Sequence, residues 1–349
     1  MHALLIVNPH ATSTTRQRRD VIVRALASAV DLEVVETRYR GEATSLAATA
    51  AADKYDLVMT LGGDGTVNEA VNGLLGGADP AQCTAPHRAD PAPDSATGDA
   101  TGGATGDAPA AEAPPDAADL PALAALPGGN ANVFTRSLQL PADPVDAAGR
   151  LIEDLISGKE RCIGLGTANG RYFTFNAGLG LDAEVVRAVE GRRAHGRTLT
   201  PALFARTALR QYYQVTDRRH AAIKVFAPSL ICPDAVYLCI VSNSAPWTYL
   251  GRRPVNTNPQ AGFDTGLDLF ALRSLGTAAT MRAVQQMLSA RTEPPDGRSV
   301  VTGHDLAGIE LSSDRPVAFQ LDGEYMGEVE QVRFRSVPRA LRVIGLATG

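Results

Sequence analysis

The 349-residue chain is poor in lysine, with only Lys54, Lys159 and Lys224, and it has only four cysteines. Cys83, Cys162, Cys232 and Cys239 form no CxxC pair and have no histidines at zinc-ligand spacing, so they read as free thiols in a reducing cytosol. No apolar run reaches the roughly 18 residues of a membrane span. The start MHALLIVNPH lacks the charged region and cleavage site of a signal peptide, and the mature chain is expected to begin at or near Met1. Also missing is GxxxxGK[ST], which excludes a P-loop NTPase as far as a motif can.

What is present is the balance of a folded protein: 44% hydrophobic and 20% charged residues. The length suits two domains. A net charge of -5 argues against anionic partners until it is divided along the chain. Residues 79–119 hold eight acids against the single base Arg88, a local charge of -7, and subtracting that from -5 leaves +2 for the rest. The folded part can therefore carry a basic face.

The first 75 residues alternate β-type runs (ALLIVNP, LEVVETR, DLVMTLGG) with amphipathic helical stretches, which predicts βαβ units and a parallel sheet. Residues 77–120, rich in Ala, Pro, Asp, Gly and Thr without hydrophobic periodicity, read as a disordered insertion. The pattern resumes with LPALAALPGGN. From residue 159 the chain turns to short β-type runs such as RYFTFNAGLG, AVYLCIVSN and VAFQLDGEYMGEVEQVRF. The expected architecture is an α/β domain over residues 1–158, interrupted by the insertion, then a β-rich domain over 159–330. Residues 331–349 form a C-terminal segment expected to pack back on the first domain.

Residues 187–220 contain Arg187, Arg192, Arg193, Arg197, Arg206, Arg210, Arg218 and Arg219, interleaved with Leu203, Phe204, Tyr212 and Tyr213 and ending at His220. A basic amphipathic segment of this kind suits an anionic membrane surface, where each basic residue contributes on the order of 1 kcal/mol. A solvated helical face would read the same way. Nucleic acid is not an expected partner.

The sharpest string is LGGDGTVNEAVNGL, which follows a β-type run and opens a helical pattern. Strand, glycine turn and helix together let backbone N–H groups and a helix amino terminus cradle phosphate. Gly62 and Gly63 permit close backbone approach, and Gly65 permits a conformation unfavourable to other residues. A carboxylate beside phosphates is repelled unless a cation intervenes, so Asp64 suggests Mg²⁺ carried with a nucleotide. An ordinary strand-to-helix turn capped by Asp64 and Thr66 is the plainer alternative.

These motifs resemble the lipid kinase family that includes bacterial diacylglycerol kinases and eukaryotic sphingosine and ceramide kinases. Asn8 and Pro9 end the first strand, Thr37 follows the second, and GGDGT with Asn68 and Glu69 follows the third. LPGGNANVFTR, with Asn132, matches the family's turn after the fourth strand. FNAGLGLDAEVV, PQAGFDTGLDL and LDGE then come in the family's order.

The resemblance implies a Rossmann-like α/β domain of the NAD-kinase and diacylglycerol-kinase type and a β-sandwich-like second domain. ATP, with Mg²⁺, and a lipid would meet between them. It implies that Glu324 is the general base, taking the proton of the lipid hydroxyl as it attacks the γ-phosphate. Asp64 joins it as the second catalytic carboxylate. Nucleotide-lining residues would be Asn8, Pro9, His10, Ala11, Thr12, Thr37, Gly62, Gly63, Asp64, Gly65, Thr66, Val67, Asn68 and Asn130, and Asp264 would join a metal or water network. A cytoplasmic protein bound peripherally at the inner membrane face, and a homodimer, complete the implied picture.

Three departures from the family pattern stand at Thr12, Asn130 and Thr265, and Val133 replaces an acid. Diacylglycerol is the leading acceptor. Sphingosine or another lipid alcohol, NAD phosphorylation, and nucleotide binding without catalysis are the alternatives. Asp322-Gly323 is also a good hairpin turn in its own right.

Overall fold

The computed structural model describes residues 1–11, 14–84, 115–194, 201–215, 220–228, 230, 232 and 234–345. Four parallel strands open the fold: β1 (His2–Val7), β2 (Asp31–Glu36), β3 (Leu57–Gly62) and β4 (Ala122–Pro127), in the spatial order β4-β3-β1-β2. Because side chains alternate along a strand, each strand feeds two cores. Leu4, Ile6 and Val58 pack with residues of α2 (Glu42–Ala52) and α3 (Asp64–Leu75). Leu5, Val7, Leu57, Met59 and Leu61 pack on the other face with α1 (Arg16–Ala27) and α6 (Pro144–Ile156).

Local chemistry sets the helix starts. Thr15 accepts the Arg18 N–H at the head of α1, and Asp143 accepts from Val145 and Asp146 ahead of α6, with Pro144 in the first turn. Between α3 and α6 lie α4 (Pro80–Thr84) and α5 (Val133–Ser137). The stretch expected to be disordered is thus ordered at its described ends: α4 buries Cys83, and Ala117 is buried as well. Residues 85–114 lie outside the described residues.

The second half adds β5 (Glu160–Ala168), β6 (Arg171–Phe173), β7 (Asn176–Gly180) and α7 (Leu181–Ala194), then α8 (Pro201–Arg210) continuing into a π-helical turn (Gln211–Val215). After them come β8 (Ile223–Phe226), β9 (Leu238–Ser242), a small hairpin of β10 (Thr248–Leu250) and β11 (Arg253–Val255), β12 (Leu267–Leu272) and α9 (Thr277–Met287). The chain closes with β13 (Val300–Leu306), β14 (Gly308–Leu321) and β15 (Glu324–Ile344). The architecture is an α/β first half with a large β-rich second half.

One mixed sheet runs through both halves in the order β13-β12-β9-β7-β14-β15-β4-β3-β1-β2. The joint is β15. Its first half pairs antiparallel with β14, its second half with β5, and Val343 lies beside Leu123 of β4 in parallel. Residues 331–344, part of the C-terminal segment expected to pack back on the first domain, form the last two thirds of this long strand.

Two consequences position the site. Neighbouring parallel strands end together, with Val7 beside Leu61 and Gly62 beside Pro127, so the loops after β1, β3 and β4 share one edge. Ligands of open α/β sheets bind at this carboxyl edge. The turn between β14 and β15, Asp322-Gly323, arrives there from the second half.

Candidate active site

The glycine turns after β3 and β4 pack backbone against backbone. Gly128 N–H donates to Gly62 O at 2.7 Å, and a β-carbon on Gly129 would stand 2.6 Å from the Gly63 Cα. A β-carbon on Gly128 would likewise stand 2.9 Å from the Gly62 backbone, so no side chain fits on the second turn, which explains glycine at positions 128 and 129. Asn132, at φ 48°, accepts the Gly129 N–H at 2.8 Å and donates back to Gly129 O at 2.9 Å, closing the second turn on itself. Asn130 is exposed beside it. At the edge of the first turn, Asn8 donates to Thr66 Oγ1 and accepts the His10 N–H, while Thr37 N–H donates to Val7 O. Pro9, His10 and Ala11 follow Asn8 on the same rim, and Thr12 lies outside the described residues.

Asp64 departs from the expectation drawn for it. Its two carboxylate oxygens accept the Val133 and Phe134 N–H groups, both at 3.1 Å, so it serves the amino end of α5. Burial pushes its carboxyl up to about 6 against the lowering effect of those two N–H groups. A carboxylate with both oxygens so engaged is a structural brace between the turns.

Two other residues expected to line a nucleotide face inward instead. Val67 is buried in the core beneath α3, and Asn68 is 3% exposed. Asn68 donates to Asp322 Oδ2 at 2.8 Å and accepts from Arg171 at 3.0 Å. Helical periodicity is the reason: a contiguous motif on a helix sends alternate sides of itself to the core and to the rim.

Asp322 is the buried anchor that the hairpin reading missed. At 3% exposure it accepts from the N–H groups of Thr174, Phe175 and Asn176, the Thr174 hydroxyl and Asn68 Nδ2, at 2.7 to 3.2 Å. Burial raises its carboxyl and these donors oppose the rise. The turn itself is regular, with φ 47° at Asp322 and 76° at Gly323, as a type I′ hairpin requires. Gln320 adds a second tie, donating to buried Asp182 at 2.8 Å while accepting the Gly323 N–H at 2.9 Å.

This anchoring places Glu324 over the first turn of α3. A β-carbon on Gly65 would overlap Glu324 Oε1, and Glu324 Oε2 accepts from Arg40 Nη2 at 3.0 Å. Arg40 was not singled out from the sequence. Glu69 was noted only as part of the motif. Its Oε1 accepts the Gly41 N–H at 2.9 Å and so fixes the loop that carries Arg40.

Asp264, expected in a metal or water network, pairs with Arg161 on β5 and is 68% exposed at its side chain. Among the described residues no cluster of three or more His, Cys, Asp or Glu could hold a metal ion. With Asp64 engaged by α5, these side chains do not make a resident Mg²⁺ site.

Residues 2–168 match the family profile described as the diacylglycerol kinase catalytic domain. That region, a little under half of the chain, is similar to the family's catalytic domain. A diacylglycerol kinase of Bacillus subtilis (strain 168) is 30% identical over 156 residues, 45% of this chain and 37% of the relative. One of Staphylococcus saprophyticus is 27% identical over 173 residues, 49% of this chain and 42% of the relative. The chain thus matches about two fifths of the length of these curated relatives. The fold is similar throughout to that of a diacylglycerol kinase from Bacillus anthracis str. Sterne, at TM-score 0.63 and 19% identity over 99% of this chain and 96% of the other. Another solved structure from that organism aligns at TM-score 0.70 and 23% identity, covering 99% and 96%.

The basic stretch is only partly outward-facing. Arg187, Arg206 and Arg210 are exposed, but Arg187 pairs with Glu328, and half-buried Arg192 donates to Thr207. Arg197, Arg218 and Arg219 lie outside the described residues, as do the side chains of Arg193 and Phe204. No helix among the described residues is long and apolar enough to cross a membrane.

Proposed function

We propose that this protein is an ATP-dependent lipid kinase that transfers the γ-phosphate to a lipid hydroxyl, with diacylglycerol as the leading acceptor. The observation that carries the reading is the Glu324 carboxylate lying against Gly65, on the glycine turn at the head of α3. The diacylglycerol kinase catalytic domain over residues 2–168 and the names of its relatives support the same reaction class.

In this reading the backbone N–H groups of the paired turns and the amino end of α3 hold phosphate oxygens. Glu324 accepts the proton of the acceptor hydroxyl as its oxygen attacks in line. Mg²⁺ enters with the nucleotide as part of the substrate, and no step runs through a metal held by the protein. The exposed Arg206 and Arg210, beside exposed Leu209 on α8, present a basic and apolar face to an anionic bilayer. That face would keep the enzyme at the inner side of the membrane, next to its substrate.

The test is transfer of labelled γ-phosphate from Mg-ATP to a panel of lipids in mixed micelles. Labelled phosphatidic acid from the wild type, lost in Glu324→Ala, supports the reading; label in another lipid keeps the mechanism and changes the acceptor. Nucleotide binding without label in any lipid overturns the kinase assignment.

A further inference from the structure

Arg40 stands on the loop between β2 and α2, which is held at both ends. Thr37 N–H donates to Val7 O at one end, and at the other Gly41, at φ 92°, donates its N–H to Glu69. Between these fixed points the Arg40 side chain is 63% exposed and reaches Glu324 Oε2 at 3.0 Å. Among the described residues its guanidinium has no other hydrogen-bond partner, so most of its five N–H donors face solvent. Glu324, then Glu190 and Glu69, hold its charge in place against the cost of partial burial.

The pairing conflicts with the role given to Glu324. One carboxylate oxygen is occupied by the guanidinium, and Oε1 is already turned against Gly65, so an incoming hydroxyl meets a carboxylate whose oxygens are both engaged. The same guanidinium lies beside the amino end of α3, where a phosphate would sit, and its planar fork suits phosphate at least as well as carboxylate. A terminal phosphate also carries more charge than one carboxylate. The two anions must therefore compete for Arg40.

We propose that Arg40 is a nucleotide-operated gate on Glu324: the terminal phosphate of a bound nucleoside triphosphate takes the guanidinium from the carboxylate and frees it to accept the hydroxyl proton. This rests on the kinase reading above. Without a triphosphate the carboxylate stays in the ion pair; with one, the cation that held it becomes a phosphate ligand. A nucleoside diphosphate, which lacks the terminal phosphate, leaves the gate closed.

Binding alone tests the gate, without turnover. The full chain is titrated calorimetrically with the Mg²⁺ complex of a β,γ-methylene ATP analogue and with ADP, as wild type, Glu324→Gln, Arg40→Ala and the double variant. In Glu324→Gln the triphosphate no longer has to break an ion pair, so it binds roughly two- to fivefold more tightly than in wild type, the range expected for a partly exposed pair. ADP shows no such gain, and the gain disappears in the Arg40→Ala background. Arg40→Lys keeps the charge without the fork and retains part of it.

Unchanged or weaker triphosphate binding in Glu324→Gln overturns the gate, because Arg40 then bridges both anions or stays where it is. A gain that persists without Arg40 also overturns it, since plain repulsion between carboxylate and phosphate then explains the result. Absence of any nucleotide binding by the wild type overturns the kinase reading and the gate together, whereas binding without coupling overturns the gate alone. Arg40 is exposed, so its replacement leaves the fold intact, and equal thermal midpoints of wild type and variant check this.

Discussion

The Glu324 carboxylate lies so close to Gly65 that a β-carbon on the glycine would overlap its Oε1. The two residues come from opposite ends of the chain. They meet because β15 crosses from the β-rich half into the parallel half, and because Asp322 ties the turn before Glu324 to α3.

Gly65→Ala therefore tests placement of the base separately from its identity. Gly65, expected from the sequence to need a conformation closed to other residues, has ordinary helical backbone inside α3, so alanine does not strain the helix, and the Glu324 side chain is flexible enough to move aside. The expected result is turnover lowered by about 100-fold, as displacing a catalytic group by an ångström does, with little change in the thermal midpoint. Unaltered turnover would show that Glu324 does not act from this position.

The glycine turns predict an asymmetry. Alanine at Gly129 meets the Gly63 Cα at 2.6 Å, backbone against backbone, whereas alanine at Gly63 meets Gly129 at an ordinary 3.4 Å. Gly129→Ala should cost about 2 kcal/mol or more and weaken nucleotide binding; Gly63→Ala should cost well under 1 kcal/mol. Chemical denaturation of both variants decides the point.

Asp322→Ala leaves three backbone N–H groups, a hydroxyl and an amide without their common acceptor. A loss of roughly 3 to 5 kcal/mol in stability follows, the range for breaking a buried charged network. Turnover falls with it, since the turn carries Glu324. Equal denaturation midpoints for variant and wild type would contradict the anchoring role.

Asp182 gives a pH dependence with a definite sign. Burial raises its carboxyl from 3.8 in the unfolded chain to about 6 in the fold, against one lowering hydrogen bond from Gln320. The folded state thus binds the proton more tightly. Its charge costs nothing below about pH 4, costs progressively more between 4 and 6, and exacts the full cost above 6. Asp182→Asn keeps an acceptor for Gln320 and removes the charge, so it should stabilise the protein at pH 7.5 by on the order of 2 kcal/mol and flatten the stability curve between pH 4 and 6. A destabilised variant at pH 7.5 would show that the carboxylate charge is needed there.

Much of this was legible in the sequence because it is written locally. The βαβ rhythm shows in the alternation of ALLIVNP and DLVMTLGG with helical stretches, and the glycine turns show as GGDGT and PGGN. What was not legible depends on contacts between distant segments. Asp322 and Gly323 do form the hairpin turn that their sequence suggests, but the five donors on Asp322 come from Asn68 and residues 174–176, which no local reading joins to it. Asp64 was read toward phosphate because its partner, the amino end of α5, lies across the turn after a different strand. Val67 and Asn68 were read with the motif that contains them, although the helix turns them to the core. Arg40 left no signal at all, since it is one arginine in an arginine-rich chain until β15 brings Glu324 beside it.

The central claim is that Glu324 acts as the base for phosphate transfer to a lipid hydroxyl. The most direct measurement is single-turnover transfer from Mg-ATP to diacylglycerol by wild type and Glu324→Gln, both saturated with nucleotide. The account predicts phosphatidic acid from the wild type and a rate lowered by about 10²- to 10⁴-fold in the variant, with nucleotide still bound. Equal rates in the two proteins would contradict it.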